Sequence, residues 1–292
     1  MGLPIRFHWN PGVGNELNHG DLSVVCRHAE ECGIESVQLT MDLATECLVP
    51  QLVAVANANR RVKFMVGCEC GSIRVPSLAR RIDALMESLP GRILVSIQCE
   101  GSTTCPSDTQ EVSDADTCYR RIEEFLAAFC ALCKHRPELF LTGSSVEAAA
   151  LAIKFGDCLW QLPKSAERVH SDALPVLHMG KEVGLRISLI GRPTAEEAYA
   201  SASICFPRVR REGWDGSVER APWLLTEAVG DGYPWGVALV GSFEDLAKAL
   251  MRYRENGISQ FLLSGPADGL EMMYFGEGVL PLVRRLEREL SK

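Results

Sequence analysis

No apolar run in this chain reaches the length of a membrane-spanning helix, so no transmembrane segment is expected. The opening residues, Met1-Gly2-Leu3-Pro4-Ile5-Arg6, lack the pattern of a secretory signal and the Ser or Thr of a myristoylation signal. A cytoplasmic location is the expectation. Basic excess is missing as well: 30 Lys and Arg face 38 Asp and Glu, for a formal net charge of −8 and a pI near 5.4. Bulk attraction to nucleic acid or to an anionic membrane is therefore not expected, and an anionic ligand needs a local basic pocket. No internal repeat and no low-complexity tract is visible.

Cysteine is plentiful, with 12 residues, but a disulfide framework is lacking. Most cysteines are scattered through apolar stretches and read as small buried hydrophobes. Cys130-Ala-Leu-Cys133 has the spacing of a redox pair, yet it falls inside a predicted amphipathic helix rather than at a helix start after a strand. Cys68-Glu-Cys70 ends a strand, and no second Cys or His pair stands at zinc spacing from it, so no metal is expected. A nicotinamide-binding unit is missing too. Gly12-Val-Gly14 follows the first strand without the third glycine of the dinucleotide fingerprint and reads as a loop.

The composition that remains, 47% apolar and 23% charged over 292 residues, is that of an ordinary globular chain. Its patterning alternates strand and helix from end to end. Strands are predicted at Ile5–Trp9, Ser36–Thr40, Val62–Cys68, Arg92–Cys99, Leu139–Thr142, Asp157–Leu162, Leu185–Ile190 and Ser259–Leu263, each followed by a helix; one of these helices spans Asp116–His135 and another Ala166–Val183. Their Val, Ile, Leu and Phe cores show no strict alternation, as in strands covered on both faces. Eight such units over this length indicate an α/β chain folded as one (β/α)8 TIM barrel over 1–292, with an open doubly wound sheet as the rival.

One connection is too long for a single helix. Roughly 70 residues separate Ile190 from Ser259, and loops of that kind are functional or disordered. Within it, 204–237 contains Arg208, Arg210, Arg211 and three of the chain's tryptophans, Trp214, Trp223 and Trp235, which favour an ordered lid inserted after the seventh strand. The arginines are either a solvated face or a means of drawing in an anion.

The fifth strand runs into its helix through Thr142, Gly143, Ser144 and Ser145. Glycine permits close backbone approach, serine caps a helix, and the first-turn N–H groups form an anion site. This is either a plain capped helix or a seat for phosphate.

Several segments together resemble the bacterial luciferase-like flavin monooxygenases, nearest the alkanesulfonate monooxygenase branch. They are Gly33-Ile-Glu-Ser-Val-Gln-Leu39, Leu89-Pro-Gly-Arg-Ile-Leu-Val95, the Leu141-Thr-Gly-Ser-Ser145 junction, Leu185-Arg-Ile-Ser188, Pro193-Thr-Ala-Glu-Glu-Ala198, Ala238-Leu-Val-Gly-Ser242, Gly257-Ile-Ser-Gln-Phe-Leu-Leu-Ser-Gly265 and Phe275-Gly-Glu-Gly-Val-Leu-Pro-Leu282. The resemblance implies a barrel that receives reduced FMN from a separate flavin reductase and uses dioxygen to oxygenate an organic small molecule. It also implies that Thr142, Gly143, Ser144 and Ser145 hold the flavin phosphate, with Trp160 and Gln161 at the ring. A homodimer is expected. The sulfonate enzymes carry Arg-x-His on the seventh strand, where this chain has Arg186-Ile-Ser188. That departure puts a sulfonate substrate in doubt and leaves a deazaflavin-dependent oxidoreductase or a non-catalytic flavin-binding barrel as alternatives.

In a barrel of this kind the site lies at the carboxyl ends of the strands, which selects Trp9, Asn10, Thr40, Asp42, Cys68, Glu69, Gln98, Glu100, Trp160, Gln161, Ser188 and Ser264. His8, Arg186 and Ser188 are the catalytic candidates. His8 is either a hydrogen-bonded interior histidine or a general acid/base. Arg186 either pairs with a carboxylate or serves an anionic ligand. Trp160 is either a core aromatic or a ring contact.

Overall fold

Strand and helix alternate along the chain as the apolar patterning predicts. The computed structural model describes residues 4–11, 19–39, 48–70, 73–99, 115–205, 223–225, 237–265 and 270–290. The order is β1 (Arg6–Trp9), α1 (His19–Glu31), β2 (Ser36–Leu39), α2 (Leu48–Ala58), β3 (Lys63–Glu69), α3 (Val75–Ser88), β4 (Ile93–Gln98) and α4 (Ala115–Leu132). It continues with β5 (Glu138–Thr142), α5 (Val146–Phe155), β6 (Cys158–Gln161), α6 (Ala166–His178), β7 (Glu182–Arg192) and α7 (Ala195–Cys205). Then come β8 (Trp223–Leu225), β9 (Val237–Ser242), α8 (Phe243–Glu255), β10 (Gln260–Ser264), α9 (Leu270–Tyr274), a π-helical turn (Phe275–Val279) and α10 (Leu280–Leu290). Among the described residues, no helix is long and apolar enough to cross a membrane.

Strands β1 to β7 lie side by side in chain order, and β10 pairs with β1 on one side and β7 on the other. Eight parallel strands therefore close into a barrel. Closure leaves two apolar layers. The larger packs outward-facing residues such as Phe7, Val37, Phe64 and Phe261 against the helices. The smaller fills the barrel itself with Met65, Leu94, Phe140, Cys158, Trp160 and Leu262. Alternation along each strand sorts residues between the two.

The structure corrects three boundaries. The helix predicted over Ala166–Val183 stops at His178, and Glu182 and Val183 belong to β7. Gly180 turns the chain there with φ +71°, a left-handed conformation that ends a helix. Pairing with β6 then draws in Glu182 and Val183. The helix predicted to His135 ends at Leu132, so Cys130 stands in its last turn.

The third correction concerns the long connection after β7. It is not all loop, because β9 lies within it, parallel to the upper half of β7 from Ser188↔Ala238 to Arg192↔Ser242. The lower half of β7, Gly184 to Ser188, pairs with β10. β7 is long because it serves two neighbours in succession. β8 adds to β9 as an antiparallel edge. The remainder of the 204–237 segment, including Arg208, Arg210, Arg211 and Trp214, lies outside the described residues.

Candidate functional site

The loop at the end of β5 is built from sheet and helix at once. The carbonyl of Thr142 accepts from the Cys99 N–H at 3.1 Å, and the Gly143 N–H donates to the Trp160 carbonyl at 3.2 Å. The ladder thus runs one residue past the strand, and the Gly143 N–H is engaged in it. Ser145 then caps α5, its Oγ accepting from the Ala148 N–H at 3.0 Å. Tyr119, on α4, places its hydroxyl 2.7 Å from the same Oγ. Ser144 is exposed and Ser145 half-buried. In a capped first turn the N–H groups of Val146 and Glu147 have no intrahelical acceptor, so this corner offers hydroxyl and amide donors together. The exposed Glu147 carboxylate shares that turn and opposes a second anion.

Inside the barrel Trp160 is fully buried. Its indole stacks on Phe140 with centroids 5.3 Å apart, and the His8 ring meets it edge-on at 5.6 Å. Among the described residues, the indole Nε1 hydrogen has no acceptor and the buried Oε1 of Gln38 has no donor. Gln38 stands on β2 and Trp160 on β6, four strands apart around the closed eight. A buried donor and acceptor without partners are uncommon and invite a polar ligand or water. Gln161 follows Trp160 directly, so alternation sends it toward the helices; the two neighbours do not both face the interior.

Arg186 projects from β7 opposite Leu262 of β10. It is largely buried, and burial pushes its guanidinium down to about 10, so it remains charged at neutral pH. Two residues on, the fully buried Ser188 hydroxyl lies 2.8 Å from that of Ser264. Asn10 and Thr142 are buried at the same end of the barrel, and Gln98 is half-buried. By contrast, Trp9 and Cys68 belong to the layer between barrel and helices. Thr40, Asp42 and Glu100 lie outside the described residues.

His8 sits deeper, toward the amino end of the barrel. One ring nitrogen, Nδ1, is 2.7 Å from Ser36 Oγ, and Nε2 is 2.8 Å from Gln260 Oε1. The Gln260 amide nitrogen donates to the Glu182 carboxylate, which fixes the amide so that its oxygen faces His8. That oxygen can only accept, so Nε2 carries the hydrogen and Nδ1 accepts from the Ser36 hydroxyl. Burial lowers the His8 pKa to about 4, which keeps the ring neutral at ordinary pH. Both nitrogens are engaged in this hydrogen-bonded interior position.

Below it, Arg6 joins Glu35 at 2.8 Å and Glu138 at 2.5 Å, with Glu182 at 3.8 Å, and Lys63 reaches Glu35 at 2.7 Å. Burial alone would raise the Glu35 carboxyl, but the hydrogen bonds from Arg6 and Lys63 pull it down to about 2. A continuous polar column therefore runs from the amino mouth of the barrel to His8.

Sequence reasoning missed Tyr119, Gln38 and this column. Gln38 was detectable as a lone polar residue between Val37 and Leu39. Tyr119 had no local signal, because it reaches Ser145 only through the packing of α4 against α5. Among the described residues, no group of three or more His, Cys, Asp and Glu is arranged to hold a metal ion.

No protein-family model matches the chain. Among solved structures it is similar to a long-chain alkane monooxygenase, with TM-score 0.72 and 13% identity over 98% of this chain and 92% of that one. It is also similar to a riboflavin lyase with modified FMN and riboflavin, with TM-score 0.69 and 14% identity over 98% of this chain and 92% of that one. An F420-dependent secondary alcohol dehydrogenase in complex with an F420–acetone adduct matches with TM-score 0.67 and 16% identity, over 97% of this chain and all of that one. Identities this low carry the architecture alone: the chain folds as a (β/α)8 barrel of the luciferase-like type.

Proposed function

We propose that this protein is a luciferase-like enzyme that works with reduced FMN delivered by a separate reductase and oxygenates an organic small molecule. The observation that carries the reading is the junction of β5 and α5, where Tyr119 and the Ser145 cap converge at the carboxyl rim of a barrel whose fold neighbours include FMN and F420 proteins. A flavin-type cofactor fits the groups present. Ser144, Ser145, Tyr119 and the first-turn amides suit its phosphate end, while the orphaned Trp160 Nε1 and Gln38 Oε1 suit a flat ring with polar edges. When bound, reduced FMN would supply the electrons that activate dioxygen.

The remaining roles belong to the chain. Arg186, charged at neutral pH and shielded from bulk water, holds an anionic group of cofactor or substrate. The Ser188 and Ser264 hydroxyls bond to each other, and whichever accepts keeps its own hydrogen to donate at the same end of the barrel. His8 acts as a positioning residue for the Trp160 and Phe140 stack. The reading includes a homodimer in the cytoplasm.

A second reading, a deazaflavin-dependent oxidoreductase, draws on the F420-dependent dehydrogenase matched over its whole length. Anaerobic titration of the full chain with reduced FMN and, separately, with reduced F420 decides between them. Reduced FMN should bind, and replacing Ser144 and Ser145 with Asp should weaken it about tenfold through charge repulsion with the circular-dichroism spectrum unchanged. Binding of F420 alone moves the assignment to the second reading. Affinity for neither, or affinity untouched in the Asp variant, overturns the site.

A further inference from the structure

The last registered pair of β3 and β4 is Glu69↔Gln98. The next residues on each strand are Cys70 and Cys99, whose thiols are neighbours; the Cys99 thiol points its hydrogen at the Ile97 carbonyl. Alternation puts them on the helix-facing side with Cys68 and Ile97, which form the preceding pair on that face. Cys68 and Cys99 belong to the layer between barrel and helices, and Cys70 and Cys118, from α4, pack against it. Cys68 and Cys118 lie near this pair at the carboxyl rim, and Cys70, Cys99 and Cys118 come together from distant parts of the sequence. Neighbouring strands stand about 4.8 Å apart, inside the roughly 4.4–6.8 Å range of Cα separations that a disulfide spans. Cys70 is half-exposed and Cys99 buried, so a reagent from solvent meets Cys70 first.

We propose that Cys70 and Cys99 are a dithiol site that takes two-electron oxidants, with hydrogen peroxide as the probe, and closes reversibly to a disulfide. The Cys70 sulfur attacks one peroxide oxygen, the O–O bond breaks, and the departing hydroxide leaves as water with the thiol proton. Cys70 is then a sulfenic acid. The Cys99 sulfur attacks the Cys70 sulfur, the S–O bond breaks, and a second water leaves with the Cys99 proton. Two thiols are oxidised by two electrons and one peroxide is reduced to two waters.

The interaction with Cys99, together with burial, raises the Cys70 thiol well above its ordinary value, so the first step is slow at neutral pH. Its rate should climb about tenfold per pH unit, as the thiolate fraction does below the pKa. The new bond would clamp the rim that carries Glu69 and Gln98 on its opposite, inward face.

The test is peroxide treatment of the full folded chain, alkylation of the remaining thiols, and digestion after glutamate. That cleavage separates Cys68 from Cys70 at Glu69, and Cys99 from Cys105 and Cys118 at Glu100. A Cys70–Cys99 linked peptide is expected. It should vanish on dithiothreitol treatment, be missing in Cys70→Ser and Cys99→Ala, and persist in Cys130→Ser. If either site variant fails to fold, the wild-type peptide map still decides. Cys70 recovered singly oxidised, joined to Cys118 or Cys68, or fully alkylated after treatment would overturn the proposal.

Discussion

The indole of Trp160 occupies the space above Gly184 on the next strand: a Cβ at residue 184 would stand 2.1 Å from Trp160 Cζ3. The two residues are registered partners across β6 and β7. A large ring on one strand is accommodated because the facing position has no side chain. Gly184→Ala should destabilise the fold by about 3 kcal/mol, the upper range for overpacking a core. Trp160→Leu in the same chain should recover part of that loss. Urea midpoints around the double-mutant cycle measure it. Additive effects would show that the two positions do not share a volume.

Stability should fall as pH drops below the ordinary histidine range. The His8 pKa is lowered by burial to about 4 from an ordinary 6.5. Between those values the unfolded chain binds a proton that the folded chain refuses. The His8 contribution is therefore complete above about pH 6.5 and is lost as pH falls toward 4. A shift of this size amounts to about 3 kcal/mol. His8→Asn should flatten the stability curve in that window, as read by chemical denaturation at stepped pH.

Glu35 should act in a lower window. Its folded pKa of about 2 lies below the ordinary 4.5, so its contribution is present above 4.5 and lost as pH falls through 2. Partial solvent access reduces the effect to on the order of 1–2 kcal/mol. Glu35→Gln should remove this acid limb while leaving the His8 window in place. A loss of slope between pH 6.5 and 4 in this variant instead would mean that the two groups titrate as one.

At the α5 corner, Glu147→Gln should tighten phosphate-bearing ligands. The carboxylate lies in the first turn beside Ser145, where it competes with a bound anion for the same dipole. Its removal is worth about 0.3–1 kcal/mol, or roughly two- to fivefold in affinity, with the larger effect at low salt. Titration with reduced FMN at two ionic strengths is the measurement. Unchanged affinity at low salt would place the phosphate elsewhere.

Arg186→Ala should weaken capture of an anionic ligand by a factor that hardly changes with ionic strength. The guanidinium is largely buried, and buried charges are screened little by salt. A strongly salt-dependent effect would indicate that Arg186 acts from the surface.

The barrel was legible in the sequence because its signals are local. Buried strands read as runs of Val, Ile, Leu and Phe, helices repeat their apolar residues at helical spacing, and Ser145 sits where a helix cap belongs. The same locality explains the boundary errors at His178, where a helical pattern was followed past a left-handed glycine and the start of strand pairing, and at Leu132, beyond which the Lys134 and His135 N–H groups donate to the Asp83 carboxylate. β9 escaped notice because Val237–Ser242 is a short apolar run whose strand character depends on the upper half of β7 being free to pair.

The chain by itself determined which residues prefer strand or helix, where the caps stand, and that no bulk charge draws it to a polyanion. Only the tertiary structure decided which of those residues meet. Closing the barrel brought Gln260 to His8, Tyr119 to Ser145, Cys70 to Cys99 and Trp160 to Gly184, pairs separated by tens to hundreds of residues. Hydrogen bonding, burial and steric fit act over a few ångströms of space. Propensity acts along a few residues of chain, so the site's chemistry had no signature until the fold set the distances.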